Sequence, residues 1–130
     1  MWWLFVLLFQ ITQSDGLFQF SFENKQVSQP VGEVGNADKI KFLEFEVTKV
    51  DNPKAYPVSF LVNYAEPGKA NALLGGFSMY PPFNPGKFKV PANGKLSPSG
   101  TINITLSTSD KNNPGDPLTI TMMPARFKYE

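Results

Sequence analysis

Apolar residues recur at every second position over most of the chain, which is the period of a half-buried β-strand. Phe18, Phe20 and Phe22 alternate with Gln19, Ser21 and Glu23. Val58, Phe60, Val62 and Tyr64 form a second clean series, and Ile102, Ile104 and Leu106 a third. Leu118, Ile120 and Met122 follow, then Phe127 and Tyr129. Less regular stretches lie around Lys25 to Val34 and Lys87 to Val90. Leu73 to Tyr80 is apolar on both faces, with Gly75 and Gly76 allowing close backbone approach. Ile40 and Phe42 share one parity, whereas Leu43, Phe45 and Val47 share the other. One extra residue exchanges the faces of a strand, so this switch predicts a β-bulge near Phe42–Leu43.

The breaks between these runs carry turn chemistry. Asp51-Asn52-Pro53, Glu66-Pro67-Gly68, Asn84-Pro85-Gly86, Asn93-Gly94 and Ser97-Pro98-Ser99-Gly100 are turn formers, as is Asn113-Pro114-Gly115-Asp116. No sustained helical period appears beyond the N-terminus, and 12 Pro and 10 Gly would interrupt most helices. Short strands with frequent turns imply an all-β fold: a single antiparallel, jelly-roll-like sandwich or barrel of about eight strands. Its boundaries are residues 15–130, and 130 residues leave room for one domain.

The first eleven residues, Met1 to Ile11, are nearly all apolar, and the first charge is Asp15. The run is too short for a membrane span, which needs about 20 residues. It fits the apolar region of a secretory signal peptide, with Thr12 and Ser14 as the small residues before a cut ahead of Asp15. No Lys or Arg precedes it, which is the one requirement unmet. Two other readings stay open: a buried first element of the fold, and the start of a truncated chain. The signal-peptide reading places the protein in a secreted, lumenal or periplasmic compartment.

Composition narrows the chemistry. The chain has no His and no Cys, so it lacks the side chains that most often hold copper or zinc. It also lacks the commonest general base and the strongest nucleophile. No catalytic residue, metal or cofactor is expected, and the protein is not read as an enzyme. Basic and acidic side chains number 12 and 11, for a formal charge of +1, with no basic block along the sequence. Neither nucleic acid nor a membrane surface is an expected partner.

Four features remain as candidates. Tyr80-Pro81-Pro82-Phe83-Asn84-Pro85-Gly86 is stiffened by three prolines. It reads either as a rigid partner-contact loop, carried by Tyr80, Pro81, Pro82 and Phe83, or as a connection with its aromatics folded onto the core. Asp110 to Asp116 offers oxygen ligands around a turn, but the spacing does not match a calcium loop, and a solvated turn is expected. Asn103-Ile104-Thr105 is a glycosylation sequon with Asn103 at outward parity. Glu44 and Glu46 share a strand face, as acid–base pairs can, yet their basic neighbours Lys41 and Lys49 read as a solvated outer face.

Several strands resemble those of one family. Tyr56-Pro57-Val58-Ser59-Phe60-Leu61-Val62-Asn63 is similar to a strand in the C-terminal β-domain of tyrosinases and polyphenol oxidases. Leu74-Gly75-Gly76-Phe77-Ser78-Met79-Tyr80 resembles the next segment, and Pro117 to Pro124 the penultimate strand. Phe127-Lys128-Tyr129-Glu130 resembles the short final strand. The resemblance implies a non-catalytic β-domain that packs over a helical di-copper domain and shields its active site. No copper ligand or catalytic residue carries over, because the helical domain and its histidines are absent from this sequence. Met1-Trp2-Trp3-Leu4-Phe5 also resembles the aromatic helix that follows the last copper ligands, in keeping with the truncated reading. The expected function is a shield, chaperone or interaction module for a copper oxidase. A secreted binding or adhesion sandwich unrelated to oxidases is the alternative.

Overall fold

The computed structural model describes residues 16–108 and 117–129. The apolar N-terminal segment, the Asp110–Asp116 turn and Glu130 lie outside the described residues.

The period-2 runs form strands that pair into two antiparallel sheets. The elements are β1 (Phe18–Phe20), β2 (Gln26–Pro30), β3 (Phe42–Asp51), β4 (Val58–Ala65) and β5 (Ala72–Met79), then β6 (Gly86–Pro91), β7 (Thr101–Thr108), β8 (Thr119–Met122) and β9 (Arg126–Lys128). A single 3-10 turn, Ala37–Lys39, precedes β3. The first sheet runs β1-β8-β3-β6, with β9 also paired to β3, and the second runs β2-β7-β4-β5. Pairing β4 with β5, β3 with β6, β2 with β7 and β1 with β8 is one long hairpin rolled up. Successive pairs fall on opposite sheets. That is a jelly-roll sandwich.

The ninth strand comes from a break. β8 pairs with Val47–Asp51 of β3 and β9 with Phe42–Glu44, so both run along the same side of one strand. Met123-Pro124-Ala125 separates them, and Pro124 has no N–H to offer a ladder. Gln29 repairs the gap from the other sheet. Its Nε2 donates to the Ala125 carbonyl at 3.1 Å and its Oε1 accepts from the Ala125 N–H at 2.8 Å.

The predicted bulge is displaced. Ile40 is fully buried but follows the 3-10 turn and precedes the strand. Parity therefore does not switch inside β3 at Phe42–Leu43; Phe42 opens the strand facing outward, and Leu43, Phe45 and Val47 face the core. The register shift lies between Val47 and Lys49, opposite β8, and a second lies between Val62 and Asn63 opposite β5.

Inward residues of both sheets build one core. Phe77 on β5 lies 5.4 Å from Phe45 and stacks on Phe88 at 4.6 Å, both on the first sheet. Phe60 on β4 lies 5.2 Å from Phe77 and meets Phe20 of β1 edge-on at 5.0 Å. The aromatic rings thus span the space between the sheets. Gly75 brings β5 close to β6: a Cβ there would sit 3.2 Å from Val90 Cγ1. At Gly76 it would come within 2.6 Å of the Phe60 carbonyl.

At the opposite end from the proline-rich loop, Tyr64 ties β4 to the β6–β7 connection. Its hydroxyl donates to Glu66 Oε1 at 2.8 Å and accepts from the Ser97 N–H at 2.8 Å. Gly100 is needed beside it, because a Cβ at that position would overlap the Tyr64 ring.

Phe60→Ala is expected to lose about 3–5 kcal/mol in urea unfolding, a large part of the ~5–15 kcal/mol typical of a domain. The hydroxyl of Tyr64, together with the Lys69 ammonium, holds the Glu66 carboxyl below its ordinary value. A lowered carboxylate contributes stability above the ordinary carboxylate range, and that stability is lost as pH falls through it. Melting temperature measured from about pH 6 to pH 3 should therefore fall more steeply in the wild type than in Glu66→Gln.

Candidate functional site

The connections β1–β2, β3–β4 and β5–β6 gather at one end of the sandwich, because antiparallel strands return their alternate loops to the same side. The 52–57 and 80–85 loops are tied together there by a single buried side chain. Asn52 is 5% exposed. Its Nδ2 donates to the Tyr56 carbonyl at 3.0 Å and to the Pro82 carbonyl at 3.1 Å. Its Oδ1 accepts from the Tyr56 N–H at 3.0 Å. The amide is fully engaged, as a buried polar group must be to avoid a desolvation penalty. Tyr56 is fixed again through its ring, which Phe22 meets edge-on at 5.3 Å.

The 80–85 loop is closed further by a hydrogen bond from the Asn84 N–H to the Pro81 carbonyl at 3.2 Å, and the Tyr80–Pro81 peptide bond is cis. Its aromatics face solvent. Tyr80 is 95% exposed and Phe83 is 51% exposed. Pro81 and Pro82 are half-buried beneath them. A shallow, mostly apolar groove of about 270 Å³ lies beside Tyr80, lined by Pro57, Val58, Met79 and Pro82 with Ser59 and Ser78. No acid, base or cation lines it. This arrangement can offer rigid aromatic surface and backbone carbonyls, and beside the phenol of Tyr80 its groove carries the hydroxyls of Ser59 and Ser78 but no carboxylate, imidazole, thiol or amine.

The other candidates lie elsewhere. Asn103 projects from the outer face of β7, half-buried, with its Oδ1 accepting from Ser28 Oγ at 2.6 Å. Glu44 and Glu46 lie on the outer face of β3. Arg126 reaches Glu46 at 3.5 Å and Glu44 at 3.8 Å, and Lys128 reaches Glu44 at 3.6 Å. Register also sets Lys89 opposite Glu44 and Lys87 opposite Glu46. The pair belongs to a charged sheet surface, as its basic neighbours imply. Among the described residues no group of three or more Asp or Glu could hold a metal ion.

Sequence reasoning passed over Asn52 except as part of a turn. Its position before Pro53 hints at a turn, but its second partner lies 30 residues on, which no local pattern reveals. A scan against protein-family models finds no match, and neither does a comparison with curated proteins.

Asn52→Ala would leave the Tyr56 N–H and two carbonyls without their partner, and should lower stability by about 2–3 kcal/mol in denaturant titration. Tyr80→Ala, at a position that touches little, should stay within about 0.5 kcal/mol of the wild type in the same titration.

Proposed function

We propose that this chain is a non-enzymatic binding module that seats Tyr80 and Phe83 in a cleft of a partner protein. The observation that carries the reading is the solvent exposure of Tyr80 on a loop that Asn52 fixes from below. Aromatic side chains have few rotatable bonds, so presenting one on a stiff loop costs little entropy on binding. Such residues dominate the energetics of interfaces when they fill a pocket. The chain has no His or Cys with which to do redox or nucleophilic chemistry of its own.

The specific partner proposed is the di-copper catalytic domain of a tyrosinase-type oxidase, with the loop covering its active-site mouth. The strand resemblance supports it, running from Tyr56 through Tyr80 to the C-terminus in family order. The chemistry of the loop supports it too, because Tyr80 carries a phenol, the class of group a polyphenol oxidase accepts.

The purified chain should inhibit a tyrosinase catalytic domain that lacks its own β-domain. Tyr80→Ala should weaken inhibition by about thirtyfold, as loss of a central aromatic contact of ~2 kcal/mol predicts. Absence of inhibition by the wild type at large excess would rule out this partner. Equal inhibition by wild type and Tyr80→Ala would show that the loop is not the contact.

A further inference from the structure

The two sheets of the sandwich present opposite chemistries to solvent. In the first sheet the outward positions of β3, β6 and β9 alternate Glu44 and Glu46 with Lys87, Lys89, Arg126 and Lys128. In the second sheet β2, β4, β5 and β7 contain five, eight, eight and eight residues, and not one of these 29 is charged. A solvated sheet face ordinarily carries Lys and Glu, which keep it soluble and unpaired. Here the outward positions are mostly Ser, Thr, Asn and Gln, with Pro30, Gly76 and two exposed leucines among them. Leu61 is 43% exposed and Leu73 is 61% exposed.

From this segregation we infer that the outer face of the β2-β7-β4-β5 sheet is a self-association surface, which pairs with the same face of a second copy about a twofold axis. The inference stands apart from the reading of the Tyr80 loop. A twofold interface sets a patch against itself, so the patch must be its own complement. Lys only donates hydrogen bonds and ionised Glu only accepts them, and like charges repel when brought face to face. Ser, Thr, Asn and Gln each donate and accept, so each can pair with its own kind. The second sheet holds only such groups and apolar ones, and it meets this requirement over its whole width. The charged columns of the first sheet are instead paired within one copy, Arg126 with Glu44 and Glu46 and Lys128 with Glu44.

Three further observations support a second copy. The side chains at the centre are held in place before contact: Ser28 Oγ donates to Asn103 Oδ1 at 2.6 Å, and Ser59 and Ser78 share a hydrogen bond of 2.7 Å. Side chains already ordered lose less entropy on association. Leu61 lies across Gly76, where a Cβ would come 3.3 Å from Leu61 Cδ2, so the leucine stands beside a flat bare strand rather than in a polar hedge. The net charge of the chain is +1, which leaves little long-range repulsion between copies.

The area sets the class of interface rather than its affinity. Three strands of eight residues and one of five, about 4.8 Å apart at about 3.3 Å per residue, give a footprint of roughly 460 Å². That is below the ~800 Å² per partner of a standard stable interface, so the dimer is a reversible one. Its dissociation constant should lie at about 10–100 μM.

Sedimentation equilibrium of the purified protein from about 5 to about 500 μM tests this, since the range brackets that constant. The mean mass of the wild type should rise from 14.5 kDa toward twice that value. Leu61→Lys should stay at 14.5 kDa throughout, with an unchanged melting temperature. Lys89→Glu, on the other sheet, should dimerise like the wild type. Thr105→Lys, which register places opposite Leu61, gives the same reading where Leu61→Lys disturbs the fold. A wild type that remains monomeric across the range overturns the inference. So does association that survives both lysine substitutions, which would place the contact on another surface.

Discussion

The contact on which this structure depends is the meeting of aromatic rings between the sheets. Phe77 reaches across from β5 to stack on Phe88 and to touch Phe45, while Phe60 bridges Phe77 and Phe20. A sandwich is stable only when the inner faces of its two sheets interdigitate, since neither sheet can bury its apolar side alone. Large planar rings supply much buried surface per residue and fix the spacing of the layers. Gly75, where a Cβ would sit 3.2 Å from Val90 Cγ1, leaves room for β6 against β5. With the layers fixed, the strand ends are fixed, and the loop end follows.

The strand pattern made most of the fold legible. Val58, Phe60, Val62 and Tyr64, and Ile102, Ile104 and Leu106, all point inward as their spacing required. The all-β class follows from that and from the turn residues between runs. Features set by distant partners were not legible. The parity change at Ile40 read as a bulge, because sequence does not show that the residue is buried from a turn rather than from the strand. The real register shift, between Val47 and Lys49, is marked in the pattern only by Val50, an apolar residue three places after Val47 that packs against the core from the other parity. The division at Pro124 reads as the end of a strand, and only pairing shows that β8 and β9 share one side of β3.

The surface followed the same rule. The proline-rich loop could be singled out from its composition, yet the same composition is consistent with aromatics folded inward. What ties the loop beneath Tyr80 to its neighbour is the hydrogen bond from Asn52 to the Pro82 carbonyl, made across 30 residues that no local pattern encodes. The charge pattern is a second case. Along the chain, basic and acidic residues look evenly mixed. Pairing sorts them, because the strands that alternate in sequence order fall on opposite sheets, and every charged strand position falls on one of them. The molecule therefore has three distinct surfaces: a charged sheet, an uncharged sheet, and an end that displays aromatics.

The central claim is that the aromatic end is rigid before any partner arrives. Backbone ¹⁵N relaxation of the free protein tests it most directly, at the amides of Tyr80, Phe83 and Asn84, the positions of the 80–85 loop that carry an N–H. Anchoring by Asn52 predicts order parameters of about 0.85 there, equal to those of the flanking strands. Values below about 0.6 would mean that the loop moves freely on the nanosecond scale, and would contradict the account.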